Sequence, residues 1–548
     1  MVVIKDMLDY IKCLSNIDDI CEVKEVVESK LYNDESCIGI YQFTYKDKNF
    51  ELFIPLNFPL ILPKITLLEN ELHCHVDKKG VVCLPNQEDI FYDISDEELL
   101  IKKVINAVKK LYSMNEIESN FEIEMEYNDY LHYYTNFKNV ECLLFESDGS
   151  SQLTRINNRI LIGNKGKLLE NYLKNKQHTV LNYKLLHLKT LPLIVEDILT
   201  VENIYSHLTE TSKIELKKYH NTRLQQYYLL KYQLPNKISN YFMIVANYKD
   251  IKKQNALLDF NSNIEVMSVR NASMDFLRFR GGSKIFDHNI LLLGCGSVGS
   301  EVAEMIVSSG FINITLIDND IIKYENGFRN ASGFWNLNNL NEIPKTKNLQ
   351  SFLQYILPDV NCKTFEKDVI SAIKSRLIKL DDFDYIICCT GNSIVDKYIN
   401  DYLYIHNIKT KVIYAWLEPY GIAEHILTVN TDKKGCFECY LKSPNSIVLA
   451  DTNIEYKIRN NVCCGSFTPY GRISTMKIAT QVSEIILYDA ENIKPIINKH
   501  FVFKRDLSMF LEKGYSKTKF MNFSQEEMDD KSRDFIYEGC NICGKCDY

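Results

Sequence analysis

The sequence lacks the features that define several large classes of protein. Its first residues, MVVIKDMLDYIKCL, do not combine a basic region, an apolar core and a cleavage site, so no signal peptide is predicted. No apolar run approaches the length needed to span a bilayer. No repeat, low-complexity tract or basic block stands out, and the net charge of −8 argues against a nucleic-acid binder. These absences predict a cytoplasmic protein without membrane or nucleic-acid partners.

The composition is that of a globular protein with more than one domain. The chain has 548 residues, of which 46% are hydrophobic and 25% charged, and this length allows two to four domains. It contains 17 cysteines. Because no export signal accompanies them, they fit a reducing compartment and are candidates for thiolate chemistry, zinc ligation or plain burial.

The most informative segment is GCGSVGS, which contains the spacing GxGxxG. The apolar run before it, Ile290–Leu293, is typical of a buried parallel strand, and Glu301–Ser309 after it has the pattern of a helix. Glycines at these positions allow a tight turn and a close approach of phosphate to the backbone at a helix N-terminus. The three glycines are Gly294, Gly296 and Gly299.

A second strand, Ile312–Ile317, ends in Asp318, where a carboxylate that binds ribose belongs. Strand, helix, strand and acid together indicate a Rossmann-like fold, for which a dinucleotide dehydrogenase is the default interpretation. The residues that follow favour a triphosphate instead. Asn326 and Arg329 lie in NGFRN, and Lys347 lies in IPKTKNL. Two cations near the nucleotide would offset charge on transferring phosphate oxygens.

The stretch from Gly294 to Lys347 resembles the adenylation domain of the ThiF and ubiquitin-activating family. The resemblance implies ATP as cofactor, Asp318 on the ribose, and Asn326, Arg329 and Lys347 on the phosphates. Pro344 stands where the family has glycine before its lysine. The family's strand that ends in C-T-D-N, whose Asp binds magnesium, is IICCTGN here, with Gly391 in place of the Asp. The magnesium ligand is therefore not assigned, and its candidates are Asn392, Asp320 and water.

A second candidate centre lies in HCHVDKKGVVCLPN, where Asp77–Gly80 is a turn signal and Cys83 follows it. A cysteine beside a turn and near histidines can be a nucleophile, and it can equally be a buried small apolar residue. The segment resembles the ubiquitin-conjugating fold, in which the catalytic cysteine lies ten positions after a histidine, as Cys83 lies after His73. The resemblance implies a thioester on Cys83. His75 replaces the family's asparagine, and an imidazole can also donate a hydrogen bond to an oxyanion.

Two C-x-x-C pairs predict a tetrahedral zinc site, because four thiolates satisfy the metal. A redox dithiol is the alternative, although no thioredoxin-like context surrounds either pair. The adenylation family often carries this zinc, which supports the four cysteines, with Cys546 as an alternative ligand. The predicted ligands are Cys436, Cys439, Cys540 and Cys543.

One further pair, Cys463 and Cys464, lies in an irregular stretch, NNVCCGSFTPYGRIS, before the helical pattern Ile473–Tyr488. A thiol at such a junction can be exposed with a lowered pKa, whereas the alternative is a pair with one thiol buried. In the ThiF and ubiquitin-activating family, the cysteine that accepts the activated carboxylate lies on a crossover loop before such a helix. The resemblance implies this role for Cys464, with Cys463 as the alternative.

The expected fold class is α/β, in three parts. Residues 1–150 are predicted to form a ubiquitin-conjugating-like α+β domain, and residues 151–275 a linker and possible inactive adenylation-like domain. Residues 276–548 are predicted to form a Rossmann-like ThiF-type adenylation domain with a mostly parallel sheet, a crossover loop and a C-terminal zinc-binding tail. This order resembles the activating and conjugating fusions of bacterial CBASS anti-phage operons.

That resemblance implies a function and partners. The chain would adenylate the C-terminal carboxylate of a protein, a cyclic-nucleotide synthase in that family, form a thioester and relay it to a second cysteine for conjugation to a target amine. It would act as a homodimer, with Arg278 or Arg280 reaching the ATP of the other subunit. The alternative is an adenylyltransferase for a sulphur-carrier or ubiquitin-like protein, with a non-catalytic N-terminal binding module.

Overall fold

The computed structural model describes most of the chain, and it divides into two compact units, Met1–Phe276 and Leu277–Tyr548. The division falls within a helix, Met274–Arg280. The described residues are 7–32, 35–69, 74–77, 79–83, 96–127, 141–144, 152–156, 159–163, 173, 176–192, 200–218, 225–249, 257–258, 260–261, 264–334, 343–451, 454, 456, 458–459, 466–516 and 518–545.

The first unit begins with a four-stranded antiparallel sheet in the order β1-β2-β3-β4. Lys46 and Asp47 both have positive φ and form a two-residue turn, which matches the twist of the strands β2 and β3 that it joins. Stacked Phe43 and Phe50 lie in the core under this sheet. The strands are β1 (Cys21–Val26), β2 (Cys37–Tyr45), β3 (Lys48–Pro55) and β4 (Lys64–Leu67). The helices are α1 (Met7–Ser15), α2 (Glu97–Leu111) and α3 (Glu116–Met125).

A larger mixed sheet completes the first unit, in the order β8-β6-β7-β5-β13-β11-β10-β9, with β12 paired to β11. Its strand β5 lies before residue 150, where the first predicted domain ends; the three-part division of the chain stays a prediction. The strands are β5 (Glu141–Leu144), β6 (Gln152–Ile156), β7 (Arg159–Gly163), β8 (Thr179–Leu181), β9 (Tyr183–His187), β10 (Gln225–Gln233), β11 (Ser239–Lys249), β12 (Leu257–Leu258) and β13 (Glu265–Asn271). The helices are α4 (Val201–His207) and α5 (Glu210–Lys217), and α6 (Met274–Arg280) is the helix within which the two units are divided.

The second unit is built on a seven-stranded sheet in the order β16-β15-β14-β17-β18-β19-β22. The first five strands in this order are parallel, and β19 pairs antiparallel with both β18 and β22. The predicted α/β fold with a mostly parallel sheet is therefore confirmed for this part of the chain. The strands are β14 (Phe286–Leu293), β15 (Phe311–Ile317), β16 (Asn361–Phe365), β17 (Tyr385–Cys388), β18 (Lys411–Leu417), β19 (Ala423–Asn430) and β22 (Lys499–Lys504), with a separate pair β20 (Ile458–Arg459) and β21 (Ser466–Phe467).

Helices cover both faces of this sheet, as parallel strands require. Val302, Leu353 and Ile478 from three helices form the core on one face, and Ile373, Ile399 and Phe437 from three others form the core on the opposite face. The helices are α7 (Ser297–Ser308), α8 (Lys345–Ile356), α9 (Val369–Lys374), α10 (Ser393–Ile405), α11 (Phe437–Lys442), α12 (Arg472–Ala490), α13 (Ser508–Glu512) and α14 (Gln525–Asp530). The 3-10 turns are Tyr324–Arg329, Leu380–Asp382, Pro419–Gly421, Lys519–Asn522, Lys531–Arg533 and Cys543–Lys545.

No helix within the described ranges has both the length and the apolar character needed to cross a membrane.

Replacing Gly299 by alanine should destabilise the second unit. A Cβ at this position would lie 1.9 Å from the carbonyl oxygen of Gly294, so the turn between β14 and α7 would have to shift, at a cost of about 1–3 kcal/mol. Amide hydrogen exchange of peptides from β14 and α7 should accelerate accordingly. Gly296→Ala is the matched control, because nothing lies within 4 Å of its added Cβ. Equal acceleration in both variants would contradict the steric argument.

Candidate functional site

The glycine-rich turn brings backbone groups, rather than side chains, to the carboxyl end of β14. Gly294 has φ of +90°, a conformation that favours glycine, and an added Cβ there would lie 2.7 Å from the carbonyl oxygen of Cys389. Its N–H donates to the carbonyl of Ile317 at 2.9 Å, which joins the ends of β14 and β15. Gly296 has no side chain to cap α7, so N–H groups of the first turn are available to an anion.

Asp318 lies directly after β15 and is held by this turn. Its Oδ2 accepts a hydrogen bond from the N–H of Cys295 at 2.7 Å, and its Oδ1 accepts one from the N–H of Asp320 at 2.8 Å. Each carboxylate oxygen can accept more than one hydrogen bond. The carboxylate is thus fixed beside the turn and can still accept hydrogen bonds from ligand hydroxyl groups.

Asn326 and Arg329 lie on the 3-10 turn that follows. Asn326 Oδ1 accepts the N–H of Lys323 at 2.9 Å and so helps to form the turn. The Arg329 guanidinium lies 4.9 Å from the centroid of the Tyr470 ring, and its Nη1 donates to the carbonyl of Thr468 at 3.0 Å. Arg329 therefore connects the sheet edge that carries Asp318 to the segment just after Cys463 and Cys464.

The two lysines at the start of α8 occupy different surroundings. Lys345 Nζ lies 2.7 Å from Asp320 Oδ2, and only 13% of its side chain is exposed. Lys347 Nζ lies 3.5 Å from Glu366 Oε1, and 49% of its side chain is exposed. Lys345 is thus the more enclosed cation and is tied to the loop of Asp318, a difference that the spacing of the two lysines does not reveal.

Asn330 is a component of the site that sequence reasoning missed. Its side chain is only 3% exposed, and its Nδ2 donates to the carbonyl of Cys295 at 3.2 Å. Its Oδ1 accepts from both the N–H and the hydroxyl of Ser332. A buried amide needs such partners, and here they connect the glycine turn to the chain after Arg329. The neighbouring Arg329 is the only sequence signal that points to it.

The strand that ends in C-T-G-N provides no carboxylate at its turn. Gly391 has φ of +62° and open space around it. Asn392 Oδ1 caps α10 by accepting the N–H of Ile394, and Asp320 is paired with Lys345. The two side chains predicted as alternatives for magnesium are therefore engaged within the protein. The nearby carboxyl group of Asp396 is buried, and it accepts a hydrogen bond from the Thr390 hydroxyl at 2.9 Å.

The four predicted metal ligands lie together. Their sulfur atoms are all within 4.8 Å of one another, and all four residues are buried. Measured separations are 3.5 Å for Cys439–Cys543 and 3.7 Å for Cys436–Cys540. Tetrahedral zinc with Zn–S bonds of about 2.3 Å requires sulfur atoms about 3.8 Å apart, so the cluster fits a four-coordinate metal site. The hydrogen bond between Cys436 and Cys439 lowers the pKa of the Cys439 thiol and raises that of Cys436.

In the first unit, Cys83 is exposed at the end of a short strand pairing. Its N–H donates to the carbonyl of His75 at 2.7 Å, and the turn before it is closed by Asp77, whose Oδ1 accepts the N–H of Val81. The His75 ring lies between two carboxylates of the helical region at α3, 3.0 Å from Glu126 and 3.4 Å from Glu122. The hydrogen bond with Glu126 raises the pKa of His75. Both ring nitrogens of His75 thus face carboxylates of this helical region.

Several residues named in the sequence analysis fall outside the described residues, namely Cys463, Cys464, Cys546 and His73. The two arginines predicted to reach a second subunit, Arg278 and Arg280, differ in their surroundings. Arg278 is buried and forms a two-pronged ion pair with Asp359, whereas Arg280 is exposed. Arg278 is therefore already used inside its own unit.

Residues 269–506 match the ThiF family. The predicted resemblance over Gly294–Lys347 is confirmed, because the match contains the glycine turn, Asp318 and both lysines. Cys540 and Cys543 lie outside the matched range, as does Cys83. The ubiquitin-conjugating-like part stays a prediction.

Several proteins of known description resemble part of this chain. An ATP-dependent ubiquitin transferase-like protein Cap2 of Vibrio cholerae serotype O1 is 25% identical over 269 residues, which cover 46% of this chain and 44% of that protein. A Cap2 of Escherichia coli is 24% identical over 220 residues, 38% of this chain and 35% of that protein. The adenylyltransferase and sulfurtransferase UBA4 of Scheffersomyces stipitis is 22% identical over 273 residues, 49% and 53% of the two chains. The chain thus spans about half or less of each relative's length.

Among solved structures, E. coli MccB with ATP is similar with a TM-score of 0.33 and 15% identity, covering 47% of this chain and 68% of that chain.

Asp396→Asn should stabilise the ThiF domain at high pH. Burial raises the pKa of Asp396 from 3.8 to about 7, so the native state keeps a proton that the unfolded chain releases. The stability that this group contributes is complete below about pH 4 and is lost as the pH rises through about 7. Asparagine keeps the acceptor for Thr390 without the charge. The variant should be more stable than wild type by at least about 1 kcal/mol at pH 8, with a smaller decline from pH 5 to pH 8.

Urea unfolding at both pH values, followed by hydrogen exchange of peptides from β17 and α10, measures this difference. Asp401→Asn is the control, since it removes from the same helix a carboxylate whose side chain is 24% exposed. A variant destabilised equally at pH 5 and pH 8 would contradict the assignment.

Proposed function

We propose that this chain uses ATP to adenylate the C-terminal carboxylate of a protein and then transfers the acyl group through cysteine thioesters to an amine. The observation that carries the proposal is the edge formed by β14 and β15. There, a helix N-terminus with available N–H groups and the fixed carboxylate of Asp318 lie beside the element that carries Arg329. The ThiF match over residues 269–506 and the names of the Cap2 and UBA4 relatives support it.

In the first step, an oxygen of the substrate carboxylate attacks the α-phosphorus of ATP, and pyrophosphate leaves. The available N–H groups at the start of α7, beside the turn of Gly294, Gly296 and Gly299, would bind phosphate oxygens, and Asp318 would accept hydrogen bonds from the ribose hydroxyls. Asn326 would contact the phosphates, as the family resemblance implies. Negative charge that develops on the leaving pyrophosphate would be offset by cations.

For these cations we propose Arg329 and Lys345, with Lys347, the residue expected from the sequence, as the alternative to Lys345. Lys345 lies 2.7 Å from Asp320, on the loop that Asp318 begins, and is shielded from water. A shielded cation interacts more strongly with a phosphate than a solvated one. Arg329 and Lys345 are both held by oxygen atoms of this chain, and phosphate oxygens could take the place of these partners.

In the second step, the thiolate of Cys464 attacks the acyl carbon and AMP leaves, with Cys463 as the alternative thiol. Transfer to Cys83 and then to a target amine would complete conjugation, since each covalent step divides a difficult reaction into easier ones. The exposure of Cys83 supports its role. An N-terminal unit that only docks a partner, with adenylation as the sole activity, is the alternative.

Metal ions enter the proposal in two places. The cluster of Cys436, Cys439, Cys540 and Cys543 would hold zinc as a structural ion that joins the chain near residue 540 to α11. Magnesium would accompany ATP, but the turn at Gly391 supplies no carboxylate for it. We therefore derive no step that depends on a protein ligand to magnesium.

The proposed protein substrate is a cyclic-nucleotide synthase, as in the CBASS family that the domain order resembles. A cytoplasmic homodimer is the proposed state, with the exposed Arg280 as the residue that reaches the nucleotide of the other subunit.

A thiol-sensitive adduct should form when the purified chain is mixed with ATP, magnesium and a candidate cyclic-nucleotide synthase. On a non-reducing gel, wild type should carry the adduct on Cys83, and Cys83→Ala should retain it on Cys464. Cys464→Ala should carry none, because the thioester must form there first. An adduct that stays on Cys464 in wild type supports the docking module instead. Absence of any adduct in wild type contradicts this substrate and relay.

The two lysines should differ in ATP–pyrophosphate exchange measured with the same synthase. Lys345→Ala should lose about a hundredfold, the typical effect of removing one group that stabilises transition-state charge. Lys347→Ala is the matched control and should stay within about threefold of wild type, since an exposed ion pair contributes about 1 kcal/mol or less. A loss of exchange confined to Lys347→Ala would show that Lys347, and not Lys345, contacts the phosphates. No loss in either variant would contradict a phosphate role for both lysines.

A further inference from the structure

One turn of the ThiF domain contacts the chain on both sides of the segment that carries Cys463 and Cys464. The turn joins β18 to β19 and runs from Glu418 to Ile422. It is tightly folded, because Tyr420 has φ of +59° and Gly421 has φ of +68°. A non-glycine residue with such a φ is uncommon and persists only where the surrounding contacts hold it.

The chain that enters the cysteine segment is held by the carboxylate of Glu418. Glu418 Oε1 accepts the N–H of Leu449 at 2.7 Å, and Oε2 accepts the N–H of Ala450 at 2.6 Å. The side chain is only 5% exposed. Two backbone donors at one buried carboxylate form charge-assisted hydrogen bonds, which fix this stretch of backbone more firmly than packing alone.

Behind Glu418, two buried imidazoles complete the arrangement. His425 Nε2 lies 2.7 Å from Glu418 Oε1, and His425 Nδ1 lies 3.0 Å from His500 Nε2. The Trp416 ring stacks on His425 with centroids 5.0 Å apart. Burial holds the pKa of His500 well below its usual value, so this ring is neutral. The Glu418 carboxylate is thus oriented from behind and directed at Leu449 and Ala450.

The chain that leaves the cysteine segment is held by the same turn. The N–H of Tyr420 donates to the carbonyl of Pro469 at 2.5 Å. A Cβ at Gly421 would lie 2.3 Å from the hydroxyl of Ser474, so the turn is packed closely against the first turn of α12. The adjacent residue, Thr468, accepts the hydrogen bond from Arg329. The exit is therefore tied both to this turn and to the edge where ATP is proposed to bind.

We propose that the Glu418–Ile422 turn positions the acceptor-cysteine segment for thioester formation, with Glu418 as the positioning residue. The inference rests on the proposed function, because it concerns the second step of that reaction. Fixing both ends of a segment reduces the conformational entropy that must be lost when a thiol reaches the acyl carbon. Glu418 is not among the groups proposed for adenylation, so loss of its contacts should affect the second step selectively.

Glu418→Gln in the full chain tests this inference. The glutamine NH₂ group would face a backbone N–H of Leu449 or Ala450, and two donors cannot bond to each other. The first readout needs no substrate: amide hydrogen exchange of peptides that contain Leu449 and Ala450 should accelerate. In the second, ATP–pyrophosphate exchange with the same cyclic-nucleotide synthase should stay within about twofold of wild type. Thioester formation should slow by about tenfold or more, the effect of about one buried hydrogen bond.

Glu424→Gln is the matched control. Glu424 is another fully buried carboxylate next to this turn, but its partner is Arg505, which binds it through two nitrogens. The control should leave the exchange of Leu449 and Ala450 unchanged and should not separate adenylation from thioester formation. Glu418→Asp, which keeps the charge, should recover part of the thioester rate.

Three results would overturn the inference. Thioester formation at the wild-type rate in Glu418→Gln would exclude a positioning role. Parallel loss of adenylation and thioester formation would show that Glu418 supports the whole domain. Unchanged hydrogen exchange at Leu449 and Ala450 would show that the contact does not hold the backbone. Absence of pyrophosphate exchange in wild type instead contradicts the proposed function, and the inference falls with it.

Discussion

The edge at which ATP is proposed to bind depends on a backbone contact that only glycine allows. Gly299 lies against the carbonyl oxygen of Gly294, and Gly294 lies against that of Cys389, so β14, α7 and β17 meet without intervening side chains. This close approach directs the N–H of Cys295 to Asp318 and its carbonyl to Asn330. The site is therefore assembled around the main chain, and its carboxylate and amide are held by groups that the turn exposes.

The cationic groups around this edge are held by contacts that join distant parts of the ThiF domain. Lys345 connects α8 to the loop after β15, and Arg329 connects the 3-10 turn to the segment before α12. The chain before and after the cysteines proposed as acceptors is attached to one turn, through Glu418 and Tyr420. The two proposed half-reactions therefore share Arg329. This residue lies beside the proposed nucleotide site and also donates a hydrogen bond to Thr468, which follows the cysteine segment.

The cysteine cluster is a second constraint on the same unit. Cys436 and Cys439 lie at the start of α11, and Cys540 and Cys543 lie near the end of the chain. These four buried sulfurs have few other polar partners, and a tetrahedral ion would satisfy them at once. Phe535, fully buried between the two pairs in sequence, packs in the same core. A bound ion would thus fix Cys540 and Cys543 against the sheet face that carries α10 and α11.

The sequence by itself determined the elements whose signals are local. The apolar run before GxGxxG, the acid after the next strand and the paired C-x-x-C spacings predicted the parallel sheet, the turn, Asp318 and the four cysteines, because each depends on residues close in the chain or on a fixed ligand chemistry. Only the tertiary structure decided that Lys345, and not Lys347, is enclosed. The two lysines are two positions apart on α8, and side chains at that spacing lie on different faces of a helix. It also paired Arg278 with Asp359, buried Asn330 beside the glycine turn, and brought Glu418 to Leu449 and Ala450. These contacts join residues far apart in sequence, and their partners are selected by packing, which no local pattern records.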